Sequence, residues 1–251
     1  MKKKVLITGA SSGFGKAMAE RFAKEGWNLV ITGRRKDRLE KIAATLTDLY
    51  GTEVHIKLFD VQDRKQVFAA LENDAAIENL DILVNNAGLA LGRDYFDEAN
   101  LDDWETMIDT NLKGLLYVSK AVLPSFIKSG KGHIINIGST AGKEVYEKGN
   151  VYCATKTSVE AISQAMRIDM LRHKIKVTAI HPGAAETEFS IVRFKGDEAT
   201  AKTVYDGYQP LKADDVADTT YYCATLPEHV CINSLVMTCT SQANSFYLLR
   251  Q

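Results

Sequence analysis

Short apolar runs recur along the chain at 5–7, 28–32, 54–58, 82–84, 133–137, 176–180 and 234–237. Between them lie stretches in which apolar positions return every three or four residues: 16–24, 36–49, 64–76, 101–127 as one helix or two, and 151–172. The runs predict strands and the longer stretches predict helices. Ile134-Ile135-Asn136-Ile137 shows no polar alternation, so both faces of such a strand are expected to be buried, as in a parallel sheet. Strands alternating with helices in this way predict a doubly wound α/β fold of about seven strands, with helices on both faces. Ligands of such folds bind at the carboxyl ends of the strands.

Composition adds limits. The 251 residues are 45% hydrophobic and 25% charged, an ordinary globular balance, and no Pro/Ser-rich linker, charge block or repeat divides them, so one domain spanning 1–251 is expected. A formal net charge of −1 gives no attraction to nucleic acid or to an anionic membrane. Cys153, Cys223, Cys231 and Cys239 have no metal-ligand spacing and are expected as reduced core residues, with no metal bound. Three lysines after Met1 precede an apolar run too brief for a signal peptide or a membrane span, so the expected compartment is the cytoplasm.

The strand ends carry the chemistry. The first runs into Thr8-Gly9, and Ser11, Ser12, Gly13, Phe14 and Gly15 lead into the first helix. Strand, glycine turn and helix together make a phosphate cradle, because glycine lets the backbone approach a pyrophosphate and the first-turn amides point at it. The alternative is tight packing of a helix on a sheet. After the second strand comes Gly33-Arg34-Arg35, where an NAD-selective site would hold a carboxylate; two guanidiniums suit the 2′-phosphate of NADP, the alternative being a solvated pair before a helix. Asp37 is the nearest acid, and its reaching the ribose would reverse that preference. Asp60 and Val61 could meet the adenine, or Asp60 could cap the next helix. Asn85-Asn86-Ala87-Gly88 could bridge strands or hold the cofactor ribose.

Tyr152 and Lys156 stand four apart on a predicted helix, one turn from each other with about 5–6 Å between β-carbons. A neighbouring ammonium favours the phenolate and is expected to lower the phenol's pKa towards the working range. Ser139, just past the strand ending at Ile137, would give a substrate carbonyl a second donor. Tyr-x-x-x-Lys alone recurs by chance on solvated helices; its company gives it weight.

With these pieces in order, the chain resembles the short-chain dehydrogenase/reductase family along essentially its whole length. The matching residues are Thr8-Gly9-x-x-x-Gly13-x-Gly15, Asn85-Asn86-Ala87-Gly88, Asn111, Ser139, Tyr152-x-x-x-Lys156, and Pro182, Gly183 and Thr187. Segments 82–92, 104–111 and 187–197 are similar to the family's NADP-dependent 3-hydroxy acid dehydrogenases, which act on serine, allo-threonine, 3-hydroxypropionate and malonic semialdehyde type compounds. The resemblance implies a single-domain Rossmann-type fold that binds NADP(H). It implies Tyr152 as proton donor or acceptor, Lys156 lowering its pKa and holding the nicotinamide ribose, and Ser139 polarising the carbonyl. It also implies that Asn111 holds a water relaying protons from Lys156, and that Pro182, Gly183 and Thr187 meet the nicotinamide end. Ala184-Ala185 and the charged loop 143–146 depart from the close relatives' pattern, leaving pocket width and substrate preference open. Tyr146 has Asn150 four residues on instead of Lys, which sets it aside as the catalytic phenol.

A small hydroxy acid needs a cation for its carboxylate, and Arg193 is the candidate; a lid-surface role is its rival. Residues 187–210 are polar and mixed, as a substrate lid would be. On the helix from 151, Ala154, Ser158, Ala161, Ala165 and Ile168 form one stripe and Val159, Ile162, Met166 and Met170 a second. Together they exceed what one core face requires. The surplus face is expected to meet another subunit, with cover by neighbouring helices or the lid of the same chain as the alternative, and the resemblance implies a homotetramer. Two other functions fit the residues: a broad NADPH-dependent carbonyl reductase of ketones or aldehydes, and a non-catalytic NADP-binding sensor.

Overall fold

The computed structural model describes residues 2–251. Seven short strands form its centre: β1 (Lys4–Ile7), β2 (Asn28–Gly33), β3 (Val54–Leu58), β4 (Ile82–Asn85), β5 (Gly132–Ile137), β6 (Ile175–Pro182) and β7 (Ser234–Met237). They lie in the order β3-β2-β1-β4-β5-β6-β7, and every pairing is parallel. The chain order reverses between β1 and β4, which opens a crevice at their carboxyl ends.

Alternate residues of each strand feed opposite faces, as the pleat dictates. Val5 and Ile7 join Met18, Phe22 and Leu39 on one face, while Leu6 joins Leu71, Val118 and Phe126 on the other. The first face is covered by α1 (Gly13–Lys24), α2 (Lys36–Tyr50) and α9 (Ala213–Thr225), and the second by α3 (Arg64–Leu71), α5 (Leu115–Ser129) and α6 (Asn150–Met170). Phe22 and Phe126 are fully buried, each burial contributing roughly 1.5–3 kcal/mol. Cys153, Cys223, Cys231 and Cys239 are free.

Several elements differ from the sequence expectation. α3 stops at Leu71, five residues early, because Asn73 takes a left-handed φ of 57° and Asp74 caps a separate 3-10 turn at Ala75–Ile77. The stretch 101–127 resolves into α4 (Leu101–Ile108), a π-helical turn at Asp109–Gly114, and α5. Residues 187–210, expected as a lid, contain α7 (Glu188–Arg193) and α8 (Glu198–Thr203). α9 was not expected: its Thr-, Asp- and Tyr-rich sequence hides a narrow buried stripe of Val216, Ala217, Thr220, Cys223 and Ala224.

Candidate active site

The β1–α1 turn shapes the floor of the crevice. Gly9 and Gly13 take φ of +66° and +50°, which a side chain would strain. A Cβ on Gly15 would sit 2.3 Å from the Gly9 carbonyl oxygen, so glycine here lets α1 begin directly against the turn. Gly15 lies just behind the cleft wall, and its lack of a side chain serves the packing of α1 on the turn. No side chain caps α1, and Ser12, at the cap position, accepts from Arg35 instead. The first-turn amides are thereby left for an anion. Residues and geometry fit a dinucleotide pyrophosphate at this point.

Beside the turn, Asn86 bridges strands: its amide donates to the Thr8 and Gly9 carbonyls at 2.8 and 3.3 Å, and its backbone N–H bonds to Thr8 Oγ1. Asn85 is buried beneath and donates to Ser119 and Asn136, both at 2.9 Å; Asn136 donates in turn to Ser163 on α6. These amides tie the carboxyl ends of β4 and β5 to the helix carrying Tyr152 and Lys156.

That helix delivers both side chains to the crevice, where Ser139 meets them. Ser139 Oγ accepts from Ala141 N–H at 3.1 Å, which leaves the hydroxyl hydrogen free to donate. Tyr152 and Lys156 are buried, at 8% and 7% exposure. Lys156 Nζ donates to the Ile137 carbonyl at 3.0 Å, and burial lowers its pKa to about 8. The Tyr152 phenol is raised well above its ordinary value, first by burial and then by Tyr146, with Ser139 and Arg193 acting against the rise. The Lys156 ammonium faces the Ile137 carbonyl, and desolvation of the phenol is the largest influence, against the lowering expected from a cation one turn away. Asn111 lies behind the cleft wall, in the π-helical turn. Its amide donates to Leu89 O at 2.8 Å and Thr155 Oγ1 at 3.1 Å, and its Oδ1 accepts from Leu89 N–H. A Cβ on Gly88 would lie 3.2 Å from Asn111 Oδ1 and 3.4 Å from Lys156 Nζ, so the two residues flank one glycine.

At the β2 end, Arg34 and Arg35 line the cleft with Asp60 and Val61. Asp60 pairs with Arg34 at 3.1 Å, and the cap of α3 is Asp63, which accepts from the Lys65 and Gln66 N–H groups. Asp37 is absent from the cleft wall. Ala87, Gly88, Pro182, Gly183 and Thr187 complete the expected lining. Arg193, at the end of α7, reaches the substrate end: its guanidinium lies 5.6 Å from the ring centres of both Tyr152 and Tyr146. Nε donates to Gly92 O at 3.2 Å and Nη1 to the Tyr146 hydroxyl at 2.9 Å. The cleft holds about 550 Å³. A glycine turn with open helix amides, a buried Tyr–Lys–Ser group and a cation beyond them thus share one cleft, an arrangement with the groups needed for proton exchange beside a dinucleotide.

The sequence profile of the family described as short chain dehydrogenase matches residues 3–197. The chain belongs to the short-chain dehydrogenase family. It is 46% identical over 241 residues to the NADP-dependent 3-hydroxy acid dehydrogenase YdfG of Shigella flexneri, covering 95% of this chain and 96% of that one. It is 45% identical to sulfoacetaldehyde reductase 2 of Chromohalobacter salexigens, over 97% and 96% of the two chains. Its structure superposes with a TM-score of 0.90 on the closed form of a serine dehydrogenase complexed with NADP+, at 44% identity and 99% coverage of both.

Some residues in or behind the cleft of this short-chain dehydrogenase escaped the sequence. Tyr146, set aside for lacking a lysine partner, holds Arg193 in place. His181 is fully buried against Ser139: Nδ1 lies 3.2 Å from the Ser139 carbonyl oxygen and Nε2 2.7 Å from Glu160. Gln242, Ser245, Leu248 and Arg250 bring the C-terminal segment to the cleft, where Gln242 accepts from Ala184 N–H at 2.8 Å. Only His181-Pro182 stood near a motif; the others follow from tertiary packing.

Proposed function

We propose that this short-chain dehydrogenase is an NADP(H)-dependent oxidoreductase that interconverts a small 3-hydroxy acid, of the serine or 3-hydroxypropionate type, with its 3-oxo acid. The observation that carries the substrate class is Arg193, fixed by Gly92 and Tyr146 over the Tyr152 ring. A guanidinium held there offers its remaining N–H groups to a carboxylate while the carbonyl meets Tyr152. Glycine turn, open α1 amides, Arg34 and Arg35 would hold the pyrophosphate and 2′-phosphate of NADP(H). When bound, the nicotinamide supplies or takes up hydride.

In the reductive direction Ser139 Oγ donates to the carbonyl oxygen and Tyr152 transfers its proton there. Burial keeps the phenol protonated, in the form a donor requires. Lys156 then offsets the phenolate charge from one helical turn away. In the oxidative direction the same groups act in reverse. The identities above, with two NADP-linked names among them, support this cofactor and reaction. A homotetramer in the cytoplasm accompanies the reading; Ala154, Ala161, Ala165 and Ile168 are exposed in one chain, as a helix awaiting a neighbour would leave them.

The test follows reduced-nicotinamide absorbance with NADP+ and L-serine, 3-hydroxypropionate or a neutral alcohol, and with NADPH and sulfoacetaldehyde. Acids turned over well above neutral alcohols by the native enzyme, with a raised KM in Arg193→Leu, support the reading. Equal use of neutral ketones would favour a broad carbonyl reductase, and tight NADP+ binding without turnover would favour a sensor. Preference for sulfoacetaldehyde would move the substrate from carboxylate to sulfonate, an anion the same guanidinium can hold.

A further inference from the structure

Glu188 is the first residue of α7, and its carboxylate lies across the start of α2. Oε2 accepts from Arg35 Nη1 at 2.9 Å and Oε1 from Arg38 Nη1 at 2.6 Å. The other two nitrogens of Arg35 are committed to the glycine turn, Nε to Ser11 Oγ at 3.0 Å and Nη2 to Ser12 Oγ at 2.6 Å. All three nitrogens of the guanidinium expected to meet a 2′-phosphate are therefore engaged. The residue before Glu188, Thr187, packs on the turn itself, its Cβ 3.5 Å from where a Gly13 Cβ would lie. Turn, α2 and lid thus meet at one carboxylate. Arg35 and Arg38 hold its pKa below the usual glutamate range, so it is ionised at neutral pH.

We propose that Glu188 is a cofactor-specificity residue whose carboxylate competes with the 2′-phosphate of NADP(H) for Arg35, so that only the phosphorylated dinucleotide releases the start of α7. The proposal rests on the NADP reading above and adds a link between cofactor choice and the lid. A phosphate near neutral pH carries up to two charges and three acceptor oxygens, against one charge and two oxygens on Glu188. It can displace the carboxylate from Arg35 and leave it to Arg38. The ribose hydroxyl of NAD(H) is neutral at the same point and has no such leverage. Both partners are near 40% exposed, which places the strength of the contest at the modest level of a solvated ion pair. Glu188 then weakens NADP(H) affinity slightly, and in return the lid end registers which dinucleotide is loaded.

The experiment is a pair of equilibrium titrations, NADP+ and NAD+, followed by calorimetry on the 251-residue chain, its Glu188→Gln variant and its Arg38→Gln variant. Glu188→Gln is expected to bind NADP+ about two- to fivefold more tightly, the scale of one exposed ion pair, with NAD+ changed by less than about 1.5-fold. Arg38→Gln, which leaves Glu188 to Arg35 alone, is expected to weaken NADP+ selectively. NADP+ binding that is weaker or unchanged in Glu188→Gln overturns the competition, because Glu188 would then be supporting Arg35. Equal changes for both dinucleotides overturn it too. If Glu188→Gln does not fold, the sign of the Arg38→Gln effect decides, and tighter or unchanged NADP+ binding there overturns the proposal. A native protein that binds neither dinucleotide removes the NADP reading and this proposal together, whereas native binding with no selective change in the variants removes this proposal alone.

Discussion

Lys156 is a buried ammonium with one carbonyl partner, and the fold bears its desolvation. Its folded pKa of about 8 lies below the ordinary 10.5, so the cost is full below pH 8 and is relieved as pH rises from 8 to 10.5. Lys156→Met is therefore expected to abolish turnover yet raise stability at pH 7, by on the order of 1–3 kcal/mol. Urea melts check this, and the gain is expected to shrink across that alkaline window. His133 on β5 carries a second buried cost, since burial lowers it to about 3 and its Nδ1 has no partner. Above its unfolded pKa of about 6.5 the ring is neutral in both states, and the penalty for keeping it neutral in the fold grows as pH falls from there towards 3. His133→Gln, which can keep the bond to Thr178, is expected to flatten the acid limb of stability between those values. A native-like acid limb in the variant would assign the loss to other groups. Neither cost was legible in the sequence, where a lone histidine or lysine carries no sign of its burial.

Helices and turns set which of those residues meet. The π-helical turn at Asp109–Gly114 divides the stretch that the sequence left as one helix or two, and it carries Asn111 to the Leu89 backbone and to Thr155. Asn111→Leu would leave the partly buried N–H and C=O of Leu89 without their side-chain partner, at up to about 1–3 kcal/mol for each group that water does not reach. A lowered urea midpoint, with turnover falling further than stability accounts for, is the expected result; unchanged stability would contradict the bridging role. Glycine turn, Asn85-Asn86, Ser139 and Tyr152-x-x-x-Lys156 were all readable, because each is a short segment whose residue types are forced by backbone approach or by proton chemistry. Arg193 was readable as a cation and not as a placed one, since its position depends on Gly92 and Tyr146, each about fifty or a hundred residues away. The helices within 187–210 left no trace in the sequence because α7 and α8 have six residues each, too few to show a period.

For the whole molecule, strand alternation carried the sheet from sequence to structure, and the family profile and structural superposition agree with it. Less legible was how the chain closes over its crevice. Tyr205 donates to Ala185 O and pairs with Ser190, while the Gln251 backbone N–H reaches Gly207 O; such long-range bonds have no local pattern. The exposed stripe of α6 leads to an assembly-scale prediction. Ala165→Arg is expected to shift sedimentation from a tetramer to a smaller species with the circular dichroism spectrum kept, and a native protein that sediments as a monomer at micromolar concentration would contradict the expected assembly. The account as a whole depends on one proton. Single-turnover reduction of a 3-oxo acid by NADPH in Tyr152→Phe, with NADPH binding measured alongside, tests it most directly. Dinucleotide affinity like that of the native enzyme, with reduction slowed by about 10²–10⁴-fold, is the predicted result; reduction at the native rate would contradict it.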